Sequence, residues 1–331
     1  MQEVINKIKR FTPKKILVIG DLMLDQYTIG SCSRVSPEAP TLVLEVKEEK
    51  YNPGGAGNTA VNLKTLGSEP ILIGIVGTDY WGEIFKKDLE DKKIAHSGVL
   101  FSPDTKTIRK ERLFAGGQQA GPRIDHNDCI LENESHESYI LGKFLESVDS
   151  SDIVVISDYI KGTLSEKLIK DIVSLSIKKN KQVLIDPRQE HVEAYKNASF
   201  ITPNFKEACE ITGLKLEFSQ DNARKLAKAL HEKTNSSVVL KMSDNGILYY
   251  DGNHFDYYPT FKREVRDVSG AGDTVMAALA VSLANGLNIR EAVYIANHAG
   301  GVKVEKSGVQ PVSFLEIIED IKSHNNLMLT F

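Results

Sequence analysis

The chain is 331 residues long, with 41 basic and 45 acidic residues and a formal net charge of −4. This length allows a large buried core, and the near-balance of charge argues against nucleic acid as a partner. The first residues lack the apolar segment of a secretory signal, and no apolar run approaches the roughly 20 residues of a membrane span. Three scattered cysteines, Cys32, Cys129 and Cys209, fit neither a disulfide framework nor a zinc site. We therefore expect a soluble, cytoplasmic protein with no membrane partner.

Short apolar runs and helical patterns alternate along the chain. The runs KILVIGD, ILIGIVG, IVVISD, QVLID, FITPN and VVLKMS lack period-2 alternation, which is typical of strands covered on both faces. Between them lie helical patterns such as WGEIFKKDLEDKK, SEKLIKDIVSLSIKKN and QDNARKLAKALHEK. This succession predicts an α/β fold with a mostly parallel central sheet and helices on both faces. The segment FLEIIEDIKSH, after Gln310, predicts a closing helix.

Two segments break this rhythm, residues 28–50 and residues 105–125. Both alternate charged and apolar side chains and contain no apolar stripe of helix length. They predict a small antiparallel sheet, inserted into a single domain of residues 1–331 and placed over the mouth of the site as a lid. If the lid leaves open edges and an exposed apolar face, pairing two lids would cover both, so we expect a homodimer.

Polar side chains follow several of the predicted strands, namely Asp21, Asp25, Asp158, Asp186 and Asn204. In open parallel sheets, ligands bind outside the carboxyl ends of the strands. Any one of these residues alone could be a turn residue. Their recurrence at the same end of successive strands favours a polar ligand such as a polyol.

The segment NPGGAGNTAVNLKTLG, residues 52–67, allows two interpretations. Its Gly55–Ala60 part satisfies G-x-G-x-x-A, which supports an oxidoreductase with a nicotinamide cofactor. The preceding residues KEEKYNP are polar, however, whereas that motif should directly follow a buried strand. Alternatively, Gly54 and Gly55 let a sugar approach the backbone, and Asn58 either bonds its hydroxyls or caps the next helix.

The segment DVSGAGDT, residues 267–274, precedes a long apolar helical run. Glycine-rich backbone before a helix N-terminus suits a phosphoryl oxygen. Asp273 is then either a helix cap or a general base beside an anion site, and we expect it at the cap position. The Walker sequence G-x-x-x-x-G-K-[ST] and the protein-kinase elements are absent from the chain. A phosphotransferase built on this sequence would therefore use DVSGAGDT.

Four segments together resemble the PfkB, or ribokinase-like, carbohydrate kinases: GDLMLD at 20–25, PGGAGNTAVNL at 53–63, TPNFKEA at 202–208 and DVSGAGDT at 267–274. The resemblance implies a three-layer ribokinase-like sandwich, ATP and Mg²⁺. Two further segments, SRVSPEAPTLVLEV at 33–46 and SDYIKG at 157–162, are similar to the D-glycero-β-D-manno-heptose-7-phosphate kinases of ADP-heptose synthesis. Those enzymes phosphorylate O1 to form the 1,7-bisphosphate. Some are fused to a nucleotidyltransferase, so this chain would be a stand-alone form with a separate enzyme acting downstream.

On the matching positions, the resemblance implies roles for individual residues. The catalytic base would be Asp273, with an anion hole formed by the amides of Gly270, Ala271 and Gly272. The sugar contacts would be Asp25, Gly54, Gly55 and Asn58. The strand-end acids Asp158 and Asp186 are further candidates for the substrate hydroxyls.

The resemblance also implies which residues would bind the nucleotide and its Mg²⁺. The Mg²⁺–phosphate assembly would be held, through water, by Asn204 and Glu207. The nucleotide would meet Lys241, Ser243 and Gly246, and the adenine would lie near Asn297 and Gly300. Asn204 and Glu207 could instead form a capping box, since their spacing fits one.

A sugar phosphate also needs cations near the lid. The candidates are Lys110, Arg112, Arg123, Lys161 and Arg188, each of which could equally be a solvated surface charge. The segment GGQQAGPRID departs from the heptose kinase pattern by an extra residue before Arg123, which leaves other sugars open. A non-catalytic sugar- or nucleotide-binding regulator is also open, although a regulator has no need of an acid beside the anion hole.

Overall fold

The computed structural model describes residues 2–130 and 133–324. Its strands are β1 Lys15–Gly20, β2 Leu22–Val35, β3 Leu42–Gly55, β4 Glu69–Gly77, β5 Gly98–Ser102, β6 Arg109–Ala115, β7 Gln118–His126, β8 Ile153–Ser157, β9 Gln182–Asp186, β10 Phe200–Ile201, β11 Ser237–Lys241, β12 Ile247–Tyr250 and β13 Phe255–Tyr258. Its α-helices are α1 Gln2–Ile8, α2 Ala56–Thr65, α3 Tyr80–Asp91, α4 Glu134–Ser147, α5 Glu166–Lys178, α6 Phe205–Thr212, α7 Gln220–Thr234, α8 Ala271–Ala284, α9 Ile289–Val304 and α10 Phe314–Ser323.

A large sheet runs in the order β13-β12-β11-β10-β9-β8-β1-β4-β5. Its pairings are parallel from β11 to β5, and β12 and β13 add an antiparallel edge. The apolar runs fill its centre, where residues Ile16–Ile19 of β1 are fully buried. The FITPN segment contributes only the two residues of β10, since Pro203 has no N–H to continue the ladder. The predicted mostly parallel sheet is confirmed.

Helices cover both faces of this sheet, as predicted. One apolar core joins it to α1, α2, α3, α8, α9 and α10, and a second core joins its other face to α4, α5, α6 and α7. The predicted closing helix is α10, and the residues after 324 lie outside the described part. None of the described helices combines the length and apolarity needed to cross a membrane.

A second sheet, in the order β3-β2-β6-β7, is the predicted lid. Two of its pairings, β2–β3 and β6–β7, are antiparallel, but β2–β6 is parallel, which the prediction of an antiparallel sheet missed. The parallel pairing arises because β2 and β6 each follow a strand of the large sheet, β1 and β5. The lid strands also begin before residue 28, since the apolar residues Leu22–Leu24 at their base are buried and show no alternation.

Candidate active site

A cleft of about 1250 Å³ lies at the carboxyl ends of β9, β10 and β11, against the N-terminus of α8. Its lining includes the residues predicted for the nucleotide and the chemistry, together with two predicted for the substrate, Asp186 and Arg188; the former are Asn204, Glu207, Lys241, Ser243, Gly246, Gly270, Ala271, Gly272, Asp273, Asn297 and Gly300. Segments up to 114 residues apart in sequence therefore meet in one cleft, at the edge of the sheet where the strand-end rule places a ligand.

Helix α8 begins with a glycine cap. Gly270 is the N-cap residue with a φ of 75°, and a Cβ there would lie 2.7 Å from the Asn58 Nδ2. Asp273 is consequently the third helical residue, and the expectation that it occupies the cap position is wrong. The Ala271 N–H donates to the Val268 carbonyl at 3.2 Å, which engages one of the three predicted anion-hole amides. The amides of Gly270 and Gly272 are the ones that an anion at this helix end would meet.

The Asp273 carboxylate is 8% exposed and held from two sides. Its Oδ2 accepts a hydrogen bond from Asn58 Nδ2 at 2.6 Å. Its Oδ1 accepts hydrogen bonds from the Tyr159 hydroxyl at 2.9 Å and the Thr59 hydroxyl at 3.3 Å. Burial raises the pKa of Asp273 to about 6, against the opposing effect of the Asn58 hydrogen bond. The group is therefore ionised at neutral pH but close to its titration range, which suits a general base.

Four charged side chains alternate in sign along the cleft. Lys241 Nζ donates to Asp186 Oδ1 at 2.8 Å, and Arg188 Nη1 donates to Glu207 Oε1 at 2.8 Å. A Cβ at Gly272 would lie 3.2 Å from Lys241 Nζ, so the Lys241 ammonium lies beside the predicted anion hole. Burial lowers the pKa of Lys241, but Asp186 and Glu207 outweigh burial and the net pKa is raised. This half-buried ammonium stays protonated beside the predicted phosphate position.

Asn204 and Glu207 form the capping box that the spacing allowed. Asn204 Oδ1 accepts from the Glu207 N–H at 2.9 Å, and Glu207 Oε2 accepts from the Asn204 N–H at 2.7 Å. Within the described residues, no group of three or more His, Cys, Asp or Glu side chains could hold a metal alone. Mg²⁺ in phosphotransferases is commonly bound by one or two carboxylates, waters and substrate phosphates. The carboxylates of Asp186 and Glu207 in this cleft fit that arrangement.

The predicted sugar contacts lie where the lid meets the sheet. Asp25 on β2 accepts a hydrogen bond from Arg112 Nη1 at 2.5 Å. A Cβ on Gly54 would lie 2.5 Å from Asp25 Oδ2, so only glycine fits opposite that carboxylate. Gly55 caps α2 with a φ of 58°, and Asn58 in the first turn of that helix reaches Asp273. Gly55 is the last residue of β3, a strand of the lid that pairs antiparallel with β2, and this is not the buried parallel strand that a dinucleotide-binding motif follows.

The predicted phosphate cations have different partners. Arg123 bonds both oxygens of Asp125 at 2.7 and 2.8 Å, and Lys161 donates to Asp128 at 2.5 Å. Burial lowers the pKa of Lys110, and the neighbouring Arg123 and Lys161 lower it further. Lys110 is the only predicted cation, within the described chain, without a carboxylate at ion-pair distance.

Two residues predicted to contact ligands, Asp158 and Asn297, bond to other protein groups in the structure. Asp158 is fully buried, and its Oδ2 accepts from the Tyr195 hydroxyl at 2.7 Å and contacts His191 Nδ1 at 2.7 Å. Asp158 therefore does not face the cleft as predicted for a substrate contact, because the chain turns after it and the next side chain, Tyr159, points into the cleft. The Asn297 amide donates to the Pro259 carbonyl at 2.9 Å and so anchors the loop after β13.

Sequence reasoning missed Tyr159 and Thr59, which both bond Asp273. A signal for Tyr159 was present, since it follows the strand-end acid Asp158 within SDYIKG. Thr59 follows Asn58 in the glycine-rich segment. Neither is identifiable from spacing alone, because the contact joins elements about 114 or more residues apart.

Comparison with known proteins agrees with this geometry. Residues 13–315 match the pfkB family carbohydrate kinases. The bifunctional protein HldE of Aliarcobacter butzleri (strain RM4018) is 41% identical over 305 residues, covering 92% of this chain and 63% of that protein. The bifunctional protein HldE of Campylobacter curvus (strain 525.92) is 38% identical, covering 94% of this chain and 66% of that protein. The chain thus spans less than two thirds of the length of these relatives.

Solved structures support the same fold. Phosphofructokinase-2 from Escherichia coli aligns with a TM-score of 0.77 at 20% identity, covering 94% of this chain and 99% of that one. Ribokinase from Arabidopsis thaliana, complexed with ribose and ATP, aligns with a TM-score of 0.73 at 17% identity, covering 94% of this chain and 99% of that one. With its motifs, its three-layer fold and the family match over most of its length, the chain belongs to the pfkB family of carbohydrate kinases, phosphotransferases with an alcohol group as acceptor.

Proposed function

We propose that the protein transfers the γ-phosphoryl group of ATP to O1 of D-glycero-β-D-manno-heptose 7-phosphate, giving the 1,7-bisphosphate for ADP-heptose synthesis. The observation that carries the proposal is the buried Asp273 carboxylate beside the helix N-terminus and Lys241. The relatives named bifunctional protein HldE support the choice of heptose. With ATP as the donor, we place the reaction in the cytoplasm.

The γ-phosphate would lie against the Gly270 and Gly272 amides and Lys241. Asp273 accepts the proton of the sugar O1–H while O1 forms a bond to the γ-phosphorus. The bond from that phosphorus to the β,γ-bridging oxygen breaks, and ADP leaves. Asp186 and Glu207 would hold Mg²⁺ together with the nucleotide, and the ion would supply positive charge against the phosphates. The amides and the ammonium stabilise the transferring group, while the acid supplies the base.

Asp25 and Asn58 would bind the sugar hydroxyls from the lid side. For the 7-phosphate we propose Lys110, because it is half-buried, lies near Asp25 and has no carboxylate at ion-pair distance among the described residues. An anion beside Lys110 would offset both its burial and the repulsion from Arg123 and Lys161. Arg123 is the weaker candidate, since Asp125 already takes its guanidinium in a two-point contact.

The 7-phosphate assignment is tested with Lys110→Met and Arg123→Gln. We expect Lys110→Met to raise the KM for heptose 7-phosphate by about 10- to 100-fold, which corresponds to one lost charge-assisted contact. Turnover of the unphosphorylated heptose, the control substrate, should not change in this variant. Arg123→Gln should have a smaller effect. An equal loss with both substrates would place Lys110 elsewhere in the mechanism.

We further propose a homodimer that pairs through the lid. The lid exposes Val35, Leu42 and Val46, whose side chains are 62%, 55% and 54% accessible, and its outer strands are β3 and β7. Exposed apolar side chains beside open strand edges favour pairing of two copies. Sedimentation of the wild-type chain beside a Val35→Glu, Val46→Glu variant tests this, and a monomeric wild-type chain would contradict it.

The reaction itself is tested by incubating the protein with ATP, Mg²⁺ and a panel of sugars. The panel contains both anomers of heptose 7-phosphate, fructose 6-phosphate and ribose, with ADP release as the readout and ³¹P NMR to locate the new phosphate. We expect preferential turnover of the β-anomer of heptose 7-phosphate. Faster turnover of another sugar would establish a different kinase of the family, which the extra residue before Arg123 leaves open. Ligand binding without ADP release would identify a regulator.

A further inference from the structure

The loop of residues 158–163, which follows β8, holds an unfavourable backbone conformation beside the cleft. Ile160 has a φ of 52°, and Gly162 has a φ of 90°. For a β-branched residue such as Ile160, a positive φ costs about 1–3 kcal/mol. Conformations of this kind persist only where surrounding contacts enforce them, and they concentrate at functional sites.

Two buried carboxylates enforce this conformation from behind. Asp21 Oδ2 accepts the N–H groups of Tyr159 at 2.8 Å and Lys161 at 3.2 Å, and Asp21 Oδ1 accepts that of Thr163 at 3.1 Å. Asp158 accepts the N–H of Ile160 at 2.9 Å. Asp21 and Asp158 are both fully buried, so these bonds are shielded from water. The loop is thereby fixed in one orientation.

That orientation directs the Tyr159 side chain at Asp273. The Tyr159 hydroxyl donates to Asp273 Oδ1 at 2.9 Å, and the guanidinium carbon of Arg188 lies 5.0 Å from the centre of the tyrosine ring. Thr59 donates to the same oxygen at 3.3 Å, so both lone pairs of Oδ1 are occupied. Oδ2 accepts one bond, from Asn58, and retains one lone pair.

We propose that Tyr159 is a positioning residue that occupies Oδ1 of Asp273 and so leaves Oδ2 as the atom that accepts the proton of the sugar hydroxyl. The inference rests on the proposed role of Asp273 as the base. The strained loop has a function in this scheme, since it holds the phenol against a carboxylate on a distant helix. A loop without Asp21 and Asp158 behind it would let the phenol rotate away.

The hydrogen bond also influences the protonation of the base. The charged groups that face Asp273 are Asp186 and Lys241 in the cleft and Lys303 on α9. These remain in place when the Tyr159 hydroxyl is removed. A donor hydrogen bond favours the carboxylate form, so its loss moves the pKa of Asp273 further above about 6.

The test is Tyr159→Phe, which keeps the ring against Arg188 and deletes only the hydroxyl. Tyr249→Phe is the matched control, because it deletes a buried phenol hydroxyl from β12, away from the cleft lining. The carboxyl titration of Asp273 is followed by ¹³C NMR of aspartate-labelled protein, with Asp273→Asn to assign the signal. The dependence of kcat on pH is measured in parallel.

In Tyr159→Phe we expect the Asp273 titration and the acidic limb of kcat to move to higher pH by about one unit. We also expect turnover on the high-pH plateau to fall by about tenfold, with KM for ATP within twofold of wild type. Tyr249→Phe should change none of these. An unshifted Asp273 titration in a folded Tyr159→Phe protein would overturn the proposal, whatever its activity.

The positioning role of Tyr159 and the proposed kinase activity would be contradicted by different results. The NMR titration uses no substrate, so it reports on the Tyr159 contact even if no sugar in the panel is phosphorylated. A shifted titration with unchanged turnover on a phosphorylated sugar would show that Tyr159 bonds Asp273 without positioning the base. That result would also overturn the proposal.

Discussion

Replacing Asp273 by asparagine should change activity and stability in opposite directions. Asparagine cannot accept the proton of the sugar hydroxyl, so turnover should fall by about 10²- to 10⁴-fold, the usual contribution of a general base. The variant keeps a polar side chain of the same size, which can still accept from Asn58 or Tyr159 after rotation of its amide. ATP and sugar should therefore bind nearly as they do in the wild type.

The stability change follows from the pKa of the carboxyl group. Burial raises the pKa of Asp273 from the ordinary 3.8 to about 6, so the folded state holds its proton more tightly than the unfolded chain does. The wild type loses stability as pH rises from 3.8 through 6, and at about 1.4 kcal/mol per pKa unit the loss reaches about 3 kcal/mol above pH 6. Asp273→Asn does not undergo this loss. Its free energy of unfolding should exceed that of the wild type by about 3 kcal/mol at pH 8 and by about half as much at pH 5.

Urea unfolding at pH 8 and pH 5, with ADP release at pH 8, measures both effects. Asp320→Asn is the control of opposite sign. Burial raises the pKa of Asp320, but the hydrogen bonds from His298 and Arg263 outweigh it and lower the pKa to about 2. Stability from this group is present above pH 3.8 and is lost as pH falls through 2, so its removal should cost about 2 kcal/mol at pH 8. An Asp273→Asn variant within tenfold of wild-type turnover, or less stable than wild type at pH 8, would refute the reasoning.

Three further substitutions test other parts of the site. Gly270→Ala would place a Cβ 2.7 Å from the Asn58 amide at a φ of 75°, so we expect turnover to fall about 100-fold. In Gly272→Ala the new Cβ would meet only the end of the flexible Lys241 side chain, so turnover should fall less. Equal losses of turnover in steady-state kinetics would show that the cap geometry is unimportant. Glu207→Gln keeps an oxygen for the capping box but removes the negative charge. The Mg²⁺ concentration for half-maximal rate should therefore rise, while the melting temperature stays within about 2 °C of the wild-type value. A large drop in melting temperature with an unchanged Mg²⁺ dependence would favour a purely capping role. Ile160→Asn relieves a strained φ of 52° and should raise the melting temperature by about 2 °C, and a lower value in calorimetry would show that no strain is stored there.

The regular parts of the fold were predictable because their signals are local. The buried strands β1, β4, β8, β9, β10 and β11 are short apolar runs bounded by a small or polar residue, and amphipathic helical patterns lie between several of them. The parallel pairing of β2 with β6 was not predictable, since alternation within a strand says nothing about the direction of its neighbour. The base of the lid was missed for a related reason, since its buried residues do not alternate.

The residues of the candidate site could likewise be predicted only in part. Part of the glycines and acids that sequence spacing identified lines one cleft, namely Asp186, Gly270, Gly272 and Asp273, and the capping box of Asn204 and Glu207 is present as its spacing allowed. What spacing could not reveal is which side chain each polar group faces. Asp158 faces Tyr195 and His191 behind the cleft, whereas its neighbour Tyr159 reaches the base. Adjacent residues on a turning loop point to opposite sides, and only the three-dimensional path decides which one meets the ligand.

The length of β2 places the outer end of the lid far from Asp25. The strand runs from buried Leu22 to Val35, which is 62% exposed, and its pairing with β3 shifts register between Ile29 and Gly30 and between Cys32 and Arg34. Asp25 with its Arg112 partner lies near the inner end. At about 3.3 Å per residue, Val35 lies roughly 30 Å beyond Asp25. A rigid rotation of the strand by about 5° about Asp25 would displace Val35 by roughly 3 Å. A probe attached at Cys32, three residues before the tip, would report small adjustments of the Asp25–Arg112 pair in amplified form.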